Sequence, residues 1–121
     1  MNVQTLNKKF QKELLSGITS LVLLSTLGQS DEPMYGYQIA RSLESDRAEP
    51  IVKQGALYPV LRSLEKSGLL SSSVEPSVSG PPRKYYTITE QGRKTLRGWQ
   101  SIWEQFKSFA DNILEGDHHD S

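Results

Sequence analysis

The spacing of apolar residues divides the chain into helices and two strands. Leu6 and Phe10 lie on one side of an otherwise polar stretch, which predicts an amphipathic helix over residues 4–13. Leu14, Ile18, Leu21, Val22 and Leu24 then recur at helical intervals, so a more apolar helix continues over residues 14–28. Gly28 and the polar run that follows, closed by Pro33, stop it. A second helix is expected from Gly36 to Leu43, burying Ile39, Ala40 and Leu43. Ser45–Val52 is polar and contains Pro50, so it reads as a loop. A third helix runs from Gln54 to Ser67 and ends at Gly68. Leu57, Leu61 and Leu64 mark its inner face, Tyr58, Arg62 and Lys66 its outer one. Pro59 lies early in it and removes a backbone donor there.

Two strands follow, Leu69–Glu75 and Arg83–Thr89, joined by the turn-rich Pro76–Pro82. Thr89 is placed to cap a last helix that reaches about Leu114. Three helices, a two-stranded β-hairpin and a terminal helix make a mainly α chain with the layout of a winged helix-turn-helix. The expected organisation is a winged domain over residues 1–89, with residues 4–13 as an N-terminal helical extension. A C-terminal helix over 90–115 and a flexible tail over 116–121 complete it.

That last helix carries a second pattern. Leu96, Trp99, Trp103, Phe106, Ala110 and Ile113 are spaced alternately three and four residues apart, and Ile102 and Phe109 widen the stripe. This is a heptad seam. Burial against a second copy of the chain accounts for it, which predicts a symmetric homodimer. Packing back onto the chain's own first helices is the competing reading.

Net charge is zero, but it is unevenly distributed. Residues 53–97 hold eight Lys and Arg against three acids, whereas residues 98–121 hold one Lys against five acids. A local basic patch can meet phosphates on a neutral protein. The absence of cysteine removes disulfides, thiolate metal sites and cysteine nucleophiles, and fits a reducing cytoplasm. Lys8, Lys9 and Lys12 before the apolar stretch Leu14–Leu27 imitate a secretion signal. Six Ser, Thr and Gly residues interrupt that stretch, no small-residue cleavage site follows it, and it is too short to cross a bilayer. The expectation is a buried helix in a cytoplasmic protein. His118 and His119 sit in the tail with only aspartates nearby, so no metal site is expected. No catalytic triad, carboxylate pair, phosphate loop or dinucleotide fingerprint can be assembled, so neither an enzyme nor a cofactor is expected.

Three segments carry a resemblance. The run Gly55-Ala56-Leu57-Tyr58-Pro59-Val60-Leu61-Arg62-Ser63-Leu64-Glu65-Lys66-Ser67-Gly68-Leu69 resembles the recognition helix of the PadR family. Met34-Tyr35-Gly36-Tyr37-Gln38-Ile39 resembles that family's second-helix opening, and Gly80-Pro81-Pro82-Arg83-Lys84-Tyr85-Tyr86-Thr87-Ile88-Thr89-Glu90-Gln91-Gly92-Arg93 its wing and the start of its last helix. The resemblance implies a transcription regulator, expected here to be a repressor binding a palindromic operator as a homodimer on double-stranded DNA. It also implies that the last helix, helped by the N-terminal helix through Leu6 and Phe10, forms the dimer. In drug-sensing members an aromatic residue of the last helix stacks planar ligands, which makes Trp99 and Trp103 candidates for a small aromatic effector; interface packing is the plainer role. A winged helix that serves as a protein-interaction adaptor is the alternative function.

The candidate DNA-contacting residues are Tyr35, Tyr37, Lys53, Gln54, Gly55, Tyr58, Arg62, Lys66, Arg83 and Lys84. A helix with one apolar face and an outer face of Tyr, Arg and Lys can dock on a fold while facing a major groove. Gly55 at its start lets a phosphate approach the helix N-terminus. The Gly-Pro-Pro turn is expected to deliver Arg83 and Lys84 at the hairpin tip, within reach of phosphates or the minor groove. Surface solvation of the cations and edge packing of the tyrosines are the alternatives. One position departs from the family pattern: Lys53 stands where Ser or Thr often caps the recognition helix. A lysine cannot accept the free amides, so either the cap is lost, at about 1 kcal/mol, or Lys53 meets a phosphate there.

Overall fold

The computed structural model describes residues 2–44 and 51–116. Most of the loop expected over Ser45–Val52 and the tail with His118 and His119 lie outside those residues. The elements are α1 (Val3–Gly28), β1 (Met34–Tyr35), α2 (Gly36–Ser42), α3 (Gln54–Lys66), β2 (Leu70–Glu75), β3 (Arg83–Ile88) and α4 (Glu90–Leu114). The polar and apolar stretches at the N-terminus form one helix. Asn2 caps it by accepting the Thr5 amide at 2.8 Å.

The core is mostly leucine. Leu23, Leu24 and Leu27 of α1 meet Ile39 of α2, Leu57, Leu61 and Leu64 of α3, Leu70 of β2, and Tyr86 and Ile88 of β3. Burying one such aliphatic side chain contributes about 1.5–3 kcal/mol, so the three inward leucines of α3 alone hold that helix firmly. The helical periodicity of α1 serves two faces. Leu23, Leu24 and Leu27 enter the core, whereas Ile18, Leu21 and Val22 line a groove beside Trp103 and Leu14 is exposed.

The sheet has one strand more than the predicted hairpin. Its order is β1-β3-β2, all antiparallel, with Met34 opposite Tyr86 and Tyr35 opposite Tyr85. The β2–β3 ladder runs from Leu70–Ile88 to Glu75–Arg83. Arg83 therefore stands at the far end of the paired strands, and the loop beyond it carries no cation. Two residues of β1 are too few to produce a readable alternation.

Close contacts seat α4 against the end of α3, the sheet and α1. Gly68, with φ +83°, ends α3 in a conformation that favours glycine. Thr89 caps α4 as predicted: its hydroxyl accepts the Gly92 amide at 2.9 Å and donates to the Gly68 carbonyl at 2.7 Å. Gly92 lies so close to the Leu69 carbonyl that a methyl group there would overlap it, and would also stand 2.7 Å from Ile88 Cγ1. One helical turn further on, Leu96 closes over the end of α1, where a methyl on Gly28 would stand 3.0 Å from Leu96 Cδ2. Arg93 donates to the Gly28 carbonyl at 3.3 Å.

Leu96 is a correction to the seam. It is only 9% exposed and belongs to the chain's own core, and Trp99 packs partly against that core. The apolar stripe of α4 thus splits: its first turns face inward because α1 and β3 approach there. The later positions Ile102, Trp103, Phe106, Phe109, Ala110 and Ile113 are exposed, Phe106 by 64% and Phe109 by 62%. Leu6 and Phe10 are also exposed, joined by Val3 and Leu14 on the same helix. Among the described residues no helix is long and apolar enough to cross a membrane.

The seat of Gly92 yields a prediction. Gly92→Ala forces α4 away from Leu69 and Ile88, and should destabilise the fold by about 1–3 kcal/mol. Thermal denaturation followed by circular dichroism checks this; an unchanged Tm would contradict the close approach.

Candidate nucleic-acid interface

The packing of α3 decides what its other face presents. With Leu57, Leu61 and Leu64 buried, Arg62 and Lys66 point outward and Tyr58 sits half-buried at the edge. The N-cap, Lys53, is exposed and makes no side-chain capping bond. Instead the Ala56 amide bonds the Lys53 carbonyl at 3.0 Å, which tightens the first turn. Pro59 lies inside the helix without interrupting it. It has no amide to offer the Gly55 carbonyl one turn back. Gly55 has open space where a side chain would project. The start of α3 thus has no cap from the Lys53 side chain, and Gly55 leaves an open approach to it among the described residues.

Tyr58 has two contacts that fix its ring. Gln54 donates to its hydroxyl at 3.1 Å, and the ring lies over Gly36 at the start of α2. A methyl on Gly36 would stand 2.6 Å from Tyr58 Cε1. Gly36 is therefore required by this packing, and Tyr58 covers the core edge with its hydroxyl between Gly36 and Gln54. Tyr35, the N-cap of α2, receives support from Gln38, whose side-chain oxygen accepts the Tyr35 amide at 3.0 Å.

The elements converge on a cleft of 340 Å³ lined by Tyr35, Gly36, Tyr37, Tyr58, Arg62, Pro82, Arg83, Lys84 and Tyr86. Six of the ten candidate residues meet there: Tyr35, Tyr37, Tyr58, Arg62, Arg83 and Lys84. Gln54 joins through its bond to Tyr58. Lys53, Gly55 and Lys66 do not line it; Lys66 stands in the last turn of α3, where its charge favours the helix C-terminus. Three cations and four tyrosines, with no carboxylate among the lining residues, make a surface that favours an anionic ligand.

The two wing cations have different surroundings. Successive residues of a strand face opposite sides. Lys84 shares its side with Tyr86 and reaches Glu65 on α3 at 3.2 Å. Glu65 also accepts the Ser72 hydroxyl at 2.6 Å. The Ser72 bond first, and Lys84 after it, hold the Glu65 carboxyl below its ordinary value against a burial effect that would raise it. The same pairing raises Lys84 above its ordinary value. Arg83 faces the other side, its guanidinium 4.4 Å from the centre of the Tyr35 ring. Tyr85 meets the same ring edge-on at 5.3 Å, and Tyr37 stacks beside it at 6.5 Å. Arg41 in turn lies 5.8 Å from the Tyr37 ring and donates to its hydroxyl at 3.0 Å.

Glu65, Ser72, Tyr85 and Arg41 were not among the residues singled out from sequence. Tyr85 was accessible in principle, since it stands two residues from Arg83 and shares its side of the strand. Glu65 and Ser72 enter only through contacts between separate elements, and Arg41 through Tyr37, one turn before it on α2.

The hydroxyl of Ser72 is the largest cause of the low Glu65 pKa, so Ser72→Ala should move that carboxyl's titration upward, towards the ordinary range. Carbon-detected NMR titration of the side chain measures it; an unmoved titration would rule out the hydroxyl as the main cause. A lowered carboxylate stabilises the fold above its ordinary titration range and stops doing so as pH falls through its folded-state value. The α3–wing contact should accordingly survive at neutral pH and loosen only in acid.

The fold recurs in known proteins. A PadR family transcriptional regulator from Eggerthella lenta has a similar structure, with a TM-score of 0.78 and 33% identity over 94% of this chain and 96% of that one. A PadR-like transcriptional regulator from Bacillus cereus gives a TM-score of 0.69 and 30% identity over 87% of this chain and 99% of that one. An uncharacterised HTH-type transcriptional regulator of Methanothermobacter thermautotrophicus is 35% identical over 72 residues, 60% of this chain and 53% of that protein. The chain thus spans about half the length of that curated relative. Residues 23–98, from the core of α1 to the first turns of α4, match the Transcriptional regulator PadR-like family. The chain belongs to this family of transcriptional regulators.

Proposed function

We propose that the chain is a cytoplasmic repressor that binds a palindromic operator as a homodimer. The carboxylate-free cleft between α2, α3 and the wing carries this reading, because it gathers the cations and tyrosine hydroxyls of three elements on one surface. In this reading α3 enters a major groove, with Arg62 and Tyr58 towards the duplex and a phosphate at the open start of the helix beside Lys53, Gln54 and Gly55. Tyr37 reaches the backbone, Lys66 extends the same face, and the wing lies along the flanking strand. Two copies related by a two-fold axis would put their α3 helices in successive major grooves, roughly 34 Å apart. Occupation of a promoter then blocks transcription.

The dimer reading rests on the apolar face that α4 leaves uncovered. Ile102, Trp103, Phe106, Phe109, Ala110 and Ile113 form one stripe, and the exposed Leu6 and Phe10 of α1 supply a second apolar surface. A face of this size on a small monomer marks an interaction site. A second copy presents the same stripe, and closed two-fold pairing buries both at once.

A small planar aromatic effector is a further reading, favoured by one observation. Ile18, Leu21, Val22, Ser25, Gln100, Trp103 and Glu104 line a groove of 490 Å³ between α1 and α4. Trp103 is 40% exposed there, whereas Trp99 is partly engaged with the core, so Trp103 is the residue for stacking a flat ligand.

Three outcomes are expected. Arg62→Ala and Gly36→Ala should each weaken binding to duplex DNA, the second by displacing Tyr58. Each loss should correspond to about 1–3 kcal/mol, measured by fluorescence anisotropy at fixed salt. A wild-type chain that forms no DNA complex even at low salt would favour the adaptor function instead. Replacing Trp103 and Phe106 by Glu should yield monomers by light scattering; an unchanged mass would remove the α4 interface. Planar aromatic compounds should quench tryptophan fluorescence in the wild type and not in Trp103→Leu; no quench at saturation would remove the effector.

A further inference from the structure

We propose that Tyr35 is a positioning residue that aims Arg83 at DNA, and that its neighbour Lys84 is a strut between the wing and α3 and makes no phosphate contact. This rests on the DNA-binding reading and assigns unlike tasks to two adjacent cations.

Geometry separates the two. In the β1–β3 register Tyr35 is opposite Tyr85, so Arg83 is its diagonal neighbour on the same side of the sheet. Tyr85 packs edge-on against the Tyr35 ring, and the capped start of α2 holds the Tyr35 backbone. The ring is therefore a fixed platform. A guanidinium that stacks on a ring uses its flat face only. Its five N–H donors lie in the plane and remain free for phosphate oxygens. Among the described residues Arg83 forms no ion pair. Glu75, opposite it in the ladder, instead accepts from Ser73 at 3.4 Å.

Lys84 is in the reverse position. Its ammonium is a point charge already directed at Glu65, and Ser72 keeps that carboxylate ionised and oriented. To reach a phosphate it would have to leave a partner that stays charged at neutral pH. Its position, between the last turns of α3 and the sheet, suits it to hold the angle between recognition helix and wing. The platform limits where Arg83 can go, so binding does not have to order a long free side chain.

The test uses the full chain and a fluorescein-labelled mixed-sequence duplex, with affinity measured across a salt series. Arg83→Ala should lower the log–log salt slope by about 0.9, the value for one phosphate contact. Lys84→Met, which keeps the aliphatic stem, should leave the slope unchanged. Tyr35→Phe should bind like the wild type, because the ring remains. Tyr35→Leu should weaken binding about two- to five-fold, as expected for an exposed cation–ring contact, and should have no effect in the Arg83→Ala background. Arg83→Lys leaves the sheet edge untouched, and should keep the slope yet lose affinity by a similar factor. A slope lowered by Lys84→Met as much as by Arg83→Ala, or equal losses from Tyr35→Leu with and without Arg83, would overturn the assignment. So would Arg83→Lys binding as tightly as the wild type. A wild-type chain that bound no duplex would remove the DNA-binding reading, and this assignment with it.

Discussion

Burial of the leucine face of α3 is the constraint on which the rest depends. Leu57, Leu61 and Leu64 are spaced so that one side of the helix is sealed into the core. Every other position is then committed. Arg62 and Lys66 must face outward, Tyr58 must lie at the margin, and Glu65 must turn towards the sheet, where Lys84 and Ser72 meet it. The helix needs no capping side chain because this apolar anchorage outweighs a lost cap of about 1 kcal/mol. The first turn is thus held by packing and not by a side-chain cap from Lys53.

A second level of organisation comes from places where backbone must approach closely. Gly36 admits the Tyr58 ring, and Gly92 admits the Leu69 carbonyl. Both are glycines for steric reasons and both act on the cleft, the first directly and the second by seating α4 against the sheet that carries the wing. Thr89 links the two regions, bonding the end of α3 on one side and the start of α4 on the other. The cleft and the α4 stripe are thereby joined through one corner of the fold.

Much of this was legible in the sequence. The helical spacing of α3, its stop at Gly68, the capping role of Thr89 and the outward set Tyr58, Arg62 and Lys66 follow from period and capping chemistry, which are local. The gathering of Tyr35, Tyr37, Arg62, Arg83 and Lys84 rested on three short motifs, and these do converge on one cleft. Besides Glu65, Ser72, Tyr85 and Arg41, two larger features escaped. Strand β1 has two residues and no period, so nothing local announces it. Leu96 fits the heptad of α4 perfectly well, yet belongs to the core, because a heptad records which positions are apolar and not what covers them.

From the sequence alone came the order of elements, the apolar face of each helix and the segment in which positive charge accumulates, since all three depend on neighbours along the chain. Only the tertiary structure decided which apolar positions are used within the chain and which remain uncovered, and which cations are paired. Lys84 and Arg83 are adjacent and similar in sequence. They differ because the pleat turns one towards a carboxylate on α3 and the other towards an aromatic ring on β1, partners fixed by long-range packing.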